Sequence, residues 1–529
     1  MQILAFVGFT ALVAAISYWF SRSTDDSSSD GYFLGGRSLG AVVIAGSLLL
    51  TNLSTEQIVG LNGAAFREGI LVMAWETLAA IAMVITAMFL LPRYLKGGIT
   101  TVPEFLEKRY DVATRSITSA LFLSGYVIVL LPIVLYSGAL ALSTMFSIPE
   151  LLNVTETTAL WITVWGIGIV GSVYAIFGGL KAVAVSDSIN AVGLIIGGML
   201  IPVFGLQMVG DGSVLDGLNI IIKSHPEKFE SLGSESASVP FSTIFTGMML
   251  VQLFYWGTNQ AIIQRALGAK SLKEGQKGLV LAAVFKILGP LIVVLPGIIA
   301  FHLFGDSLTN PDQAYPMLVN AVLPAGAVGF FAAVLFGAIL SSFNSALNSS
   351  VTLFGFDLYK QYFDKNANEK KVVKVGKIFG AFLALLSMFI APLIANAPDG
   401  LFGYLQEVNG CYSIPILTII VVGYLTKFVP AIAAKIAIFS GVVLYSISQF
   451  VLKPMVIESG ASYPHFLHVM AILFVLNVCI MLLIGKWKPA KVGFELVYTD
   501  KVNIDPWKNI YLASALVTVI VLFIYVYFA

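Results

Sequence analysis

Five polar side chains lie inside apolar stretches of the sequence, each in a different stretch: Gln57, Glu76, Gln252, Lys286 and Gln406. An ionisable group surrounded by hydrocarbon is costly, so it indicates a functional site by default. Together the five supply both donors and acceptors, which suits a neutral ligand rich in hydroxyl groups. Other interpretations stay open, because Glu76 and Lys286 can simply neutralise each other and membrane glutamines often join helices.

A polar segment, residues 52–57 with the sequence NLSTEQ, interrupts apolar sequence near the middle of a candidate membrane span. Non-helical backbone at that depth is tolerated only where protein encloses it or where it lines a watery cavity. Interrupted helices of this kind form binding sites in transporters. The segment therefore predicts a broken helix that binds something polar, with Asn52 among the candidate ligand-binding residues.

An aromatic pair, Tyr255 and Trp256, lies close to Gln252 in the sequence. A sugar ring can lie on such apolar faces, and the phenol can form a hydrogen bond. Taken alone, an aromatic pair more often belongs to a core or to an interfacial belt. Both interpretations remain open on these residues alone.

Small polar residues repeat along another apolar stretch: Ala338, Ser341, Ser342, Ser345, Asn348 and Ser349. Helical spacing places them on one helix face, and such stripes usually serve close helix packing. If the hydroxyls face the carbonyls near Leu50 and Leu53, they form an oxygen cage without a carboxylate. That cage fits a monovalent cation, whereas a divalent ion normally recruits carboxylates.

The composition is that of an integral membrane protein, with 529 residues, 58% hydrophobic and 11% charged, and a mean hydropathy of +0.91. At about 20 residues per membrane helix, roughly fourteen spans can be placed, which predicts an all-α membrane protein without a soluble domain. The net charge of +1 carries no information about nucleic acid; no nucleic-acid partner is expected, and no obligate protein partner is evident. The predicted spans are 2–20, 39–62, 68–94, 116–146, 157–178, 185–210, 240–262, 277–304, 314–355, 374–393, 401–426, 429–452, 464–485 and 508–528.

Lysine and arginine residues concentrate in the loops after the third, seventh, ninth and thirteenth predicted spans. Because cytoplasmic loops accumulate these residues, we expect a multi-pass protein of the plasma (inner) membrane with both termini outside. The cysteines, Cys411 and Cys479, lie in apolar stretches, so no disulfide framework is expected. With four histidines and no nucleophile–base arrangement, an enzyme is not expected.

Several motifs occur in order along the chain: residues 52–57, Tyr174-x-x-x-Gly178-Gly179-Leu180-Lys181-Ala182 followed by Asp187, YWGTNQ at 255–260, Gln264-Arg265 with Ala269-Lys270-Ser271, and the stripe from Ser341 to Ser349. On these motifs the chain resembles the solute:sodium symporter family, and within it the bacterial sodium/galactose (sodium/glucose-type) symporters. The resemblance implies a core of two inverted repeats of five helices, each with a broken first helix. The implied parts are a leading helix and loop (1–38), repeat 1 (39–210), an extracellular loop (211–239), repeat 2 (240–426) and three trailing helices (427–529).

The function implied by the resemblance is sodium-coupled import of a neutral, galactose- or glucose-like hexose by alternating access. The implied ligands are thus a small-molecule sugar and a sodium ion, in a lipid bilayer. Symport of a polyol or another neutral solute is an alternative within the family. A membrane protein that senses sugar without transporting it is a less favoured alternative.

The family's sugar-binding positions correspond to five residues here: Gln57, Glu76, Gln252, Lys286 and Gln406. Gln252 replaces a family asparagine and is one methylene longer. An aromatic gate beneath the sugar corresponds to Tyr255, with Trp256 beside it. The outer lid corresponds to Trp75 and Phe402.

The family's sodium site corresponds to the backbone oxygens of Leu50, Leu53 and Ala338 and to the hydroxyls of Ser341 and Ser342. Asp187 matches an acidic residue on a proposed inward path for sodium. These assignments are expectations that follow from the resemblance.

Overall fold

The computed structural model describes residues 2–21, 29–396 and 401–529. The side chains of residues 175–179, which interrupt the Tyr174–Ala182 motif, and of a few other helical residues lie outside the described ones. In lipid, backbone amides and carbonyls must find partners within the protein, and a helix satisfies them inside one segment. The described residues are accordingly almost all helical, and their only extended pairings are two isolated bridges, Leu39–Ala269 and Ser271–Asn503.

The first half of the chain contains α1 (Gln2–Ser21), α2 (Ser29–Leu34), α3 (Ala41–Asn52), α4 (Thr55–Glu68), α5 (Ala74–Ile85), α6 (Leu91–Gly97), α7 (Val102–Arg109), α8 (Val112–Gly125), α9 (Leu131–Phe146), α10 (Ile148–Leu152), α11 (Glu156–Val209) and α12 (Val214–Ser224). The second half contains α13 (Met249–Gly257), α14 (Gln260–Leu267), α15 (Leu272–Val293), α16 (Leu295–Phe304), α17 (Ala314–Val322), α18 (Ala325–Thr352), α19 (Glu369–Ile390), α20 (Leu401–Leu425), α21 (Ala431–Ile447), α22 (Lys453–Glu458), α23 (Phe466–Trp487) and α24 (Ile510–Tyr527).

Short segments of other helical types join these helices. The π-helical segments are Thr86–Leu90, Tyr126–Leu130, Ile244–Met248, Leu353–Phe363 and Ser448–Leu452. The 3-10 segments are Gly35–Arg37, Gly69–Met73, Pro226–Phe229, Phe241–Thr243, Gly305–Ser307, Pro311–Gln313 and Ala391–Asn396.

Twelve helices among the described residues are long and apolar enough to cross a membrane. Two of the predicted spans, 39–62 and 240–262, have no such helix of their own, because breaks divide them into shorter pieces. The long helix α11 contains two candidate spans, Glu156–Tyr174 and Leu180–Val209. The prediction of an all-α membrane protein is confirmed.

The first break separates α3 from α4. Helix α3 ends at Asn52, Leu53 leaves the helix with φ −79° and ψ 57°, and Ser54 is extended with φ −88° and ψ 178°. Helix α4 then begins at Thr55. The break predicted within 52–57 is thus confirmed, and it leaves backbone groups without helical partners.

The second break separates α13 from α14. Helix α13 ends at Gly257, and Thr258 takes a non-helical conformation with φ −133° and ψ −18°. Asn259 then caps α14, because its side-chain oxygen accepts a hydrogen bond of 3.0 Å from the amide of Ala261. Each break falls in the first helix of a predicted repeat.

Small residues bring the helices around the breaks close together. A Cβ on Gly278 of α15 would lie 2.7 Å from Ile44 of α3, and one on Gly46 of α3 would lie 2.9 Å from Ser188 of α11. Helix α15 also packs against α5, and α18 packs against α1, α3, α9 and α11. Close approach through small residues is typical of membrane helices, and here it positions α3, α5, α15 and α18 around the interrupted segments.

Candidate functional site

A central cavity of about 50 Å³ lies between the two breaks and helix α20. Among the residues predicted from the sequence, its lining contains Asn52, Gln57, Trp75, Gln252, Tyr255, Trp256, Phe402 and Gln406. The structure adds Glu56, Tyr126, Leu130, Val251, Asn259, Leu405, Asn409 and Tyr412. The lining is rich in carboxamides, and none of its residues is Lys, Arg or His.

The charged pair Glu76 and Lys286 lies behind this cavity and not in its lining. The Lys286 Nζ atom is 2.5 Å from Glu76 Oε2, and both side chains are buried. Gln57 Nε2 donates to Glu76 Oε1 at 2.6 Å, so Gln57 connects the ion pair to the cavity wall. A Cβ on Gly289 would overlap the Glu76 carboxylate, so glycine makes room for the pair. With its amide nitrogen bound to Glu76, Gln57 retains its carbonyl oxygen as an acceptor for a ligand.

Gln252 positions aromatic groups in the cavity wall. Its Nε2 donates to the Trp75 carbonyl at 3.0 Å, and its Oε1 accepts from Trp256 Nε1 at 3.2 Å. The Lys286 Nζ atom lies 5.6 Å from the centroid of the Trp256 ring. The Trp256 ring therefore stands in a fixed orientation between the cavity and the buried ion pair.

Tyr255 forms part of the wall beside Trp256, with ring centroids 5.2 Å apart. Asn52, at the end of α3, lines the same cavity. The wall therefore combines the last helical residue before the first break with a residue of α13, the helix that precedes the second break. The residue predicted as a gate thus lies in the cavity wall near both interrupted helices.

Trp75 and Phe402 meet edge to face with ring centroids 5.1 Å apart. Both are almost fully buried, and both also line a second cavity of about 410 Å³ on their far side. Residues 235–238 of the predicted extracellular loop line that second cavity, so we call it the outer cavity. A Cβ on Gly60 would lie 2.7 Å from Phe402 Cβ, which shows how closely α20 packs on α4. The two rings thus separate the central cavity from the outer cavity.

The serine stripe of α18 contacts the last turn of α3. Ser342 Oγ donates to the Thr51 carbonyl at 2.6 Å. The Thr51 hydroxyl lies 3.2 Å from Ser341 Oγ and 3.3 Å from Ser345 Oγ. The structure therefore brings Ser341 and Ser342 to the broken helix, where Leu50, Leu53 and Ala338 are also buried. The sequence did not identify Thr51, whose hydroxyl adds an oxygen to this cluster.

Asp187 and Arg265 belong to a buried hydrogen-bond network next to this cluster. Ser47 Oγ donates to Asp187 Oδ2 at 2.6 Å, and Arg265 Nε donates to Ser47 Oγ at 3.4 Å. Arg265 also donates to Ser345, which lies one turn beyond Ser341. The network connects α3, α11, α14 and α18. Through Ser47 it links Asp187 to the basic side chain of Arg265, which the sequence analysis named only as part of a motif.

Several lining residues were missed because nothing local in the sequence distinguishes them. The Tyr126 hydroxyl donates to Asn259 Oδ1 at 2.7 Å, and the Tyr412 hydroxyl donates to Asn409. Both tyrosines lie in apolar spans, where phenols usually belong to the core. Glu56 offered the clearest available signal, since it is a carboxylate within the 52–57 motif.

Known proteins resemble this chain over most of its length. The model of the sodium:solute symporter family matches residues 32–443. An uncharacterized symporter, YidK of Escherichia coli (strain K12), is 49% identical over 514 residues, covering 97% of this chain and 88% of the relative. The sodium/glucose cotransporter of Vibrio parahaemolyticus is 33% identical over 467 residues, covering 84% of each chain.

Among solved structures, the fold is similar to a substrate-bound, outward-open state of a Na⁺-coupled sialic acid symporter. The TM-score is 0.78 at 20% identity, with 93% of this chain and 99% of the other covered. At that identity the likeness concerns the fold alone. From the family match over most of its length, this chain belongs to the sodium:solute symporter family and is a multi-pass, sodium-coupled membrane transporter and not an enzyme.

Proposed function

We propose that this transporter imports a neutral, galactose- or glucose-like hexose together with sodium. The observation that carries the proposal is the lining of the central cavity, which combines the carboxamides of Gln57, Gln252 and Gln406 with the rings of Tyr255 and Trp256. Carboxamides both donate and accept hydrogen bonds, as sugar hydroxyls do. The Vibrio parahaemolyticus relative, named as a sodium/glucose cotransporter, supports the same substrate class.

The charges around the cavity favour a neutral solute over an anion. Lys286 is bound to Glu76 and lies outside the lining, so it offers no free positive charge to a carboxylate. The remaining ionisable group in the lining other than tyrosine is Glu56, which accepts a hydrogen bond from Ser54. An anionic substrate would need a cation in the cavity, and the lining contains none.

Transport follows from alternating opening of the two sides. Sodium bound between Leu50, Leu53, Ala338, Ser341 and Ser342 connects the broken helix to α18 and favours a site open to the outside. Sugar binding then closes the lid of Trp75 and Phe402, and release to the inside requires Tyr255 to move away. In this mechanism Asp187 belongs to the path by which sodium leaves toward the inside. The central cavity of about 50 Å³ is smaller than the roughly 300 Å³ or more of ordinary ligand pockets, so it must widen to admit a hexose.

Sodium supplies sufficient free energy for accumulation. One positive charge crossing a potential of about 100 mV contributes about 2.3 kcal/mol. A tenfold sodium gradient adds about 1.4 kcal/mol. Together these terms sustain a sugar accumulation of several hundredfold for one coupled ion.

Uptake into proteoliposomes tests the proposal. We expect an inward sodium gradient to drive accumulation of labelled D-galactose or D-glucose above that seen with potassium alone. A panel of hexose stereoisomers and myo-inositol identifies the substrate and separates a hexose from a polyol. Sugar binding without sodium-driven uptake would instead indicate a sensor, and uptake of none of the panel would reject a sugar substrate.

Site variants connect that uptake to the central cavity. Gln406→Ala removes a lining carboxamide and should abolish uptake while the protein stays folded. Gln361→Ala is the matched control, because Gln361 lines neither cavity. Equal loss in both variants would mean that the cavity is not where the sugar binds.

A further inference from the structure

The outer cavity is the larger of the two spaces that meet at the Trp75–Phe402 lid. Its volume of about 410 Å³ lies within the range of about 300–1,000 Å³ for small-molecule pockets. The central cavity, at about 50 Å³, lies well below it. Of these two cavities, only the outer one is large enough in this conformation to hold a hexose.

The chemistry of the outer cavity matches that of a sugar site. Trp75 and Phe402 form its floor, and Tyr463 adds a further ring whose hydroxyl is held by Ser448 at 2.8 Å. Aromatic faces of this kind bury the apolar face of a sugar while leaving its hydroxyls accessible. The rings are held by protein contacts, so a ligand does not have to order them.

An ion pair supplies part of the polar lining of the cavity. Lys453 Nζ is 2.5 Å from Glu407 Oε1, and the two side chains remain 30% and 19% exposed. Both therefore keep hydrogen-bonding capacity toward the cavity, the ammonium as donor and the carboxylate as acceptor. The pair is close to neutral overall, and the further lining residues Glu235 and His465 add a carboxylate and an imidazole. This lining suits an uncharged polyhydroxylated ligand better than an anion.

One turn of α20 serves both cavities. Gln406 lines the central cavity and the next residue, Glu407, lines the outer one, while Phe402 borders both. The Glu407 carbonyl accepts a hydrogen bond of 2.8 Å from Tyr445, which fixes this turn against α21. We propose that the outer cavity is a second hexose-binding site, formed by Trp75, Phe402, Glu407, Lys453 and Tyr463, from which sugar passes to the central site. This proposal rests on the proposed sugar symport.

Gly403 provides a probe that does not disturb the site. It lines the outer cavity, and a Cβ at this position would meet no atom within 4 Å. Gly403→Cys should therefore place a thiol in open space within the cavity. Replacement of Cys411 and Cys479 by serine removes the two native thiols.

The experiment measures the rate at which a membrane-impermeant maleimide labels the introduced thiol of the full-length Gly403→Cys variant, with and without D-galactose or D-glucose. It is done in two backgrounds, one with Gln406 intact and one with Gln406→Ala, which disables the central site. We expect sugar to slow labelling in both, about tenfold at a concentration about nine times the dissociation constant. Ser459→Cys, exposed near the end of α22, is the control whose labelling sugar should not change.

The labelling results decide whether the outer cavity binds sugar. Protection that survives Gln406→Ala and disappears when Glu407→Gln and Lys453→Gln are combined supports the outer site. Protection that disappears with Gln406→Ala, in a protein that transports sugar, means that the outer cavity is only a passage, and it overturns this inference while the proposed function stands. If the protein neither transports nor is protected by any tested sugar, both fail. Size-exclusion profiles and thermal midpoints of the variants show that they are folded.

Discussion

The buried pair of Glu76 and Lys286 allows a test that separates structural from ligand-binding roles. Lys286→Met leaves the Glu76 carboxylate buried with Gln57 as its remaining hydrogen-bond donor. Breaking one side of a buried ion pair costs roughly 3–5 kcal/mol, whereas replacing both partners with well-packed hydrophobic residues of similar volume is often neutral or stabilising. We therefore expect Lys286→Met to destabilise strongly and Glu76→Gln combined with Lys286→Met to recover most of that stability.

Uptake should not recover with stability. If the pair holds Gln57 and contributes to sugar binding, the double variant leaves ligand hydroxyls unpaired, at about 1–3 kcal/mol. That corresponds to a rise of roughly 5- to 150-fold in the sugar concentration for half-maximal uptake. The assay is a double-mutant cycle of the free energy of unfolding in detergent, combined with sodium-driven uptake in proteoliposomes. Restored stability together with wild-type uptake would refute a role in binding, and a Lys286→Met cost below about 1 kcal/mol would refute the pairing itself.

Three further outcomes are expected. Ser342→Ala should raise the sodium concentration for half-maximal uptake and leave equilibrium sugar exchange largely intact, whereas a purely packing role predicts an unchanged sodium curve because alanine is equally small. Gly289→Ala should place a methyl group against the Glu76 carboxylate, lower the free energy of unfolding by about 1–3 kcal/mol and reduce uptake. Gly166→Ala is the control, because a Cβ there meets no atom within 4 Å. Equal effects of the two variants would contradict the close approach of Gly289 to Glu76. Burial, and then the neighbouring His468 and Lys453, lower the pKa of His465 to about 4. In the unfolded chain the pKa of a histidine is about 6.5. Between these two pKa values the unfolded state binds a proton that the folded state does not, so the thermal midpoint should fall as the pH drops from about 7 to about 4.5. His465→Gln should lessen that fall. An equal dependence of the thermal midpoint on pH in both proteins would argue against this assignment.

The sequence was sufficient to predict the membrane architecture and the position of the first break. Residues 52–57 are polar where the bilayer requires apolar side chains, so local composition alone indicates an interruption. The break at Thr258 and Asn259 was predicted only in general terms, because the family resemblance implied a broken first helix in repeat 2, and the polar run of Thr258, Asn259 and Gln260 was not used to locate it. Two predicted spans consequently appear as pairs of short helices and not as single long ones.

The arrangement around the cavity depends on packing that no single stretch of sequence contains. Glu76 and Lys286 are separated by 210 residues, and their contact arises because α5 packs against α15. The sequence could predict that each needs a partner, but not that Gln57 would lie between the pair and the cavity. Tyr126 and Tyr412 were missed for a related reason, since the side of a helix that faces a cavity is set by its neighbours.

The oxygen cluster between α3 and α18 has a consequence for how membrane voltage acts on the transport cycle. Its hydroxyls bond to one another and to the Thr51 carbonyl, so the cluster is satisfied without an ion. The proposed ion ligands include no carboxylate, and the nearby Asp187 and Arg265 have opposite formal charges. An empty cluster is therefore electrically neutral, and only the sodium-loaded form has a net positive charge. The membrane potential should then act on the sodium bound at this cluster and drive the loaded step inward, whereas the empty cluster itself contributes no charge to the return step.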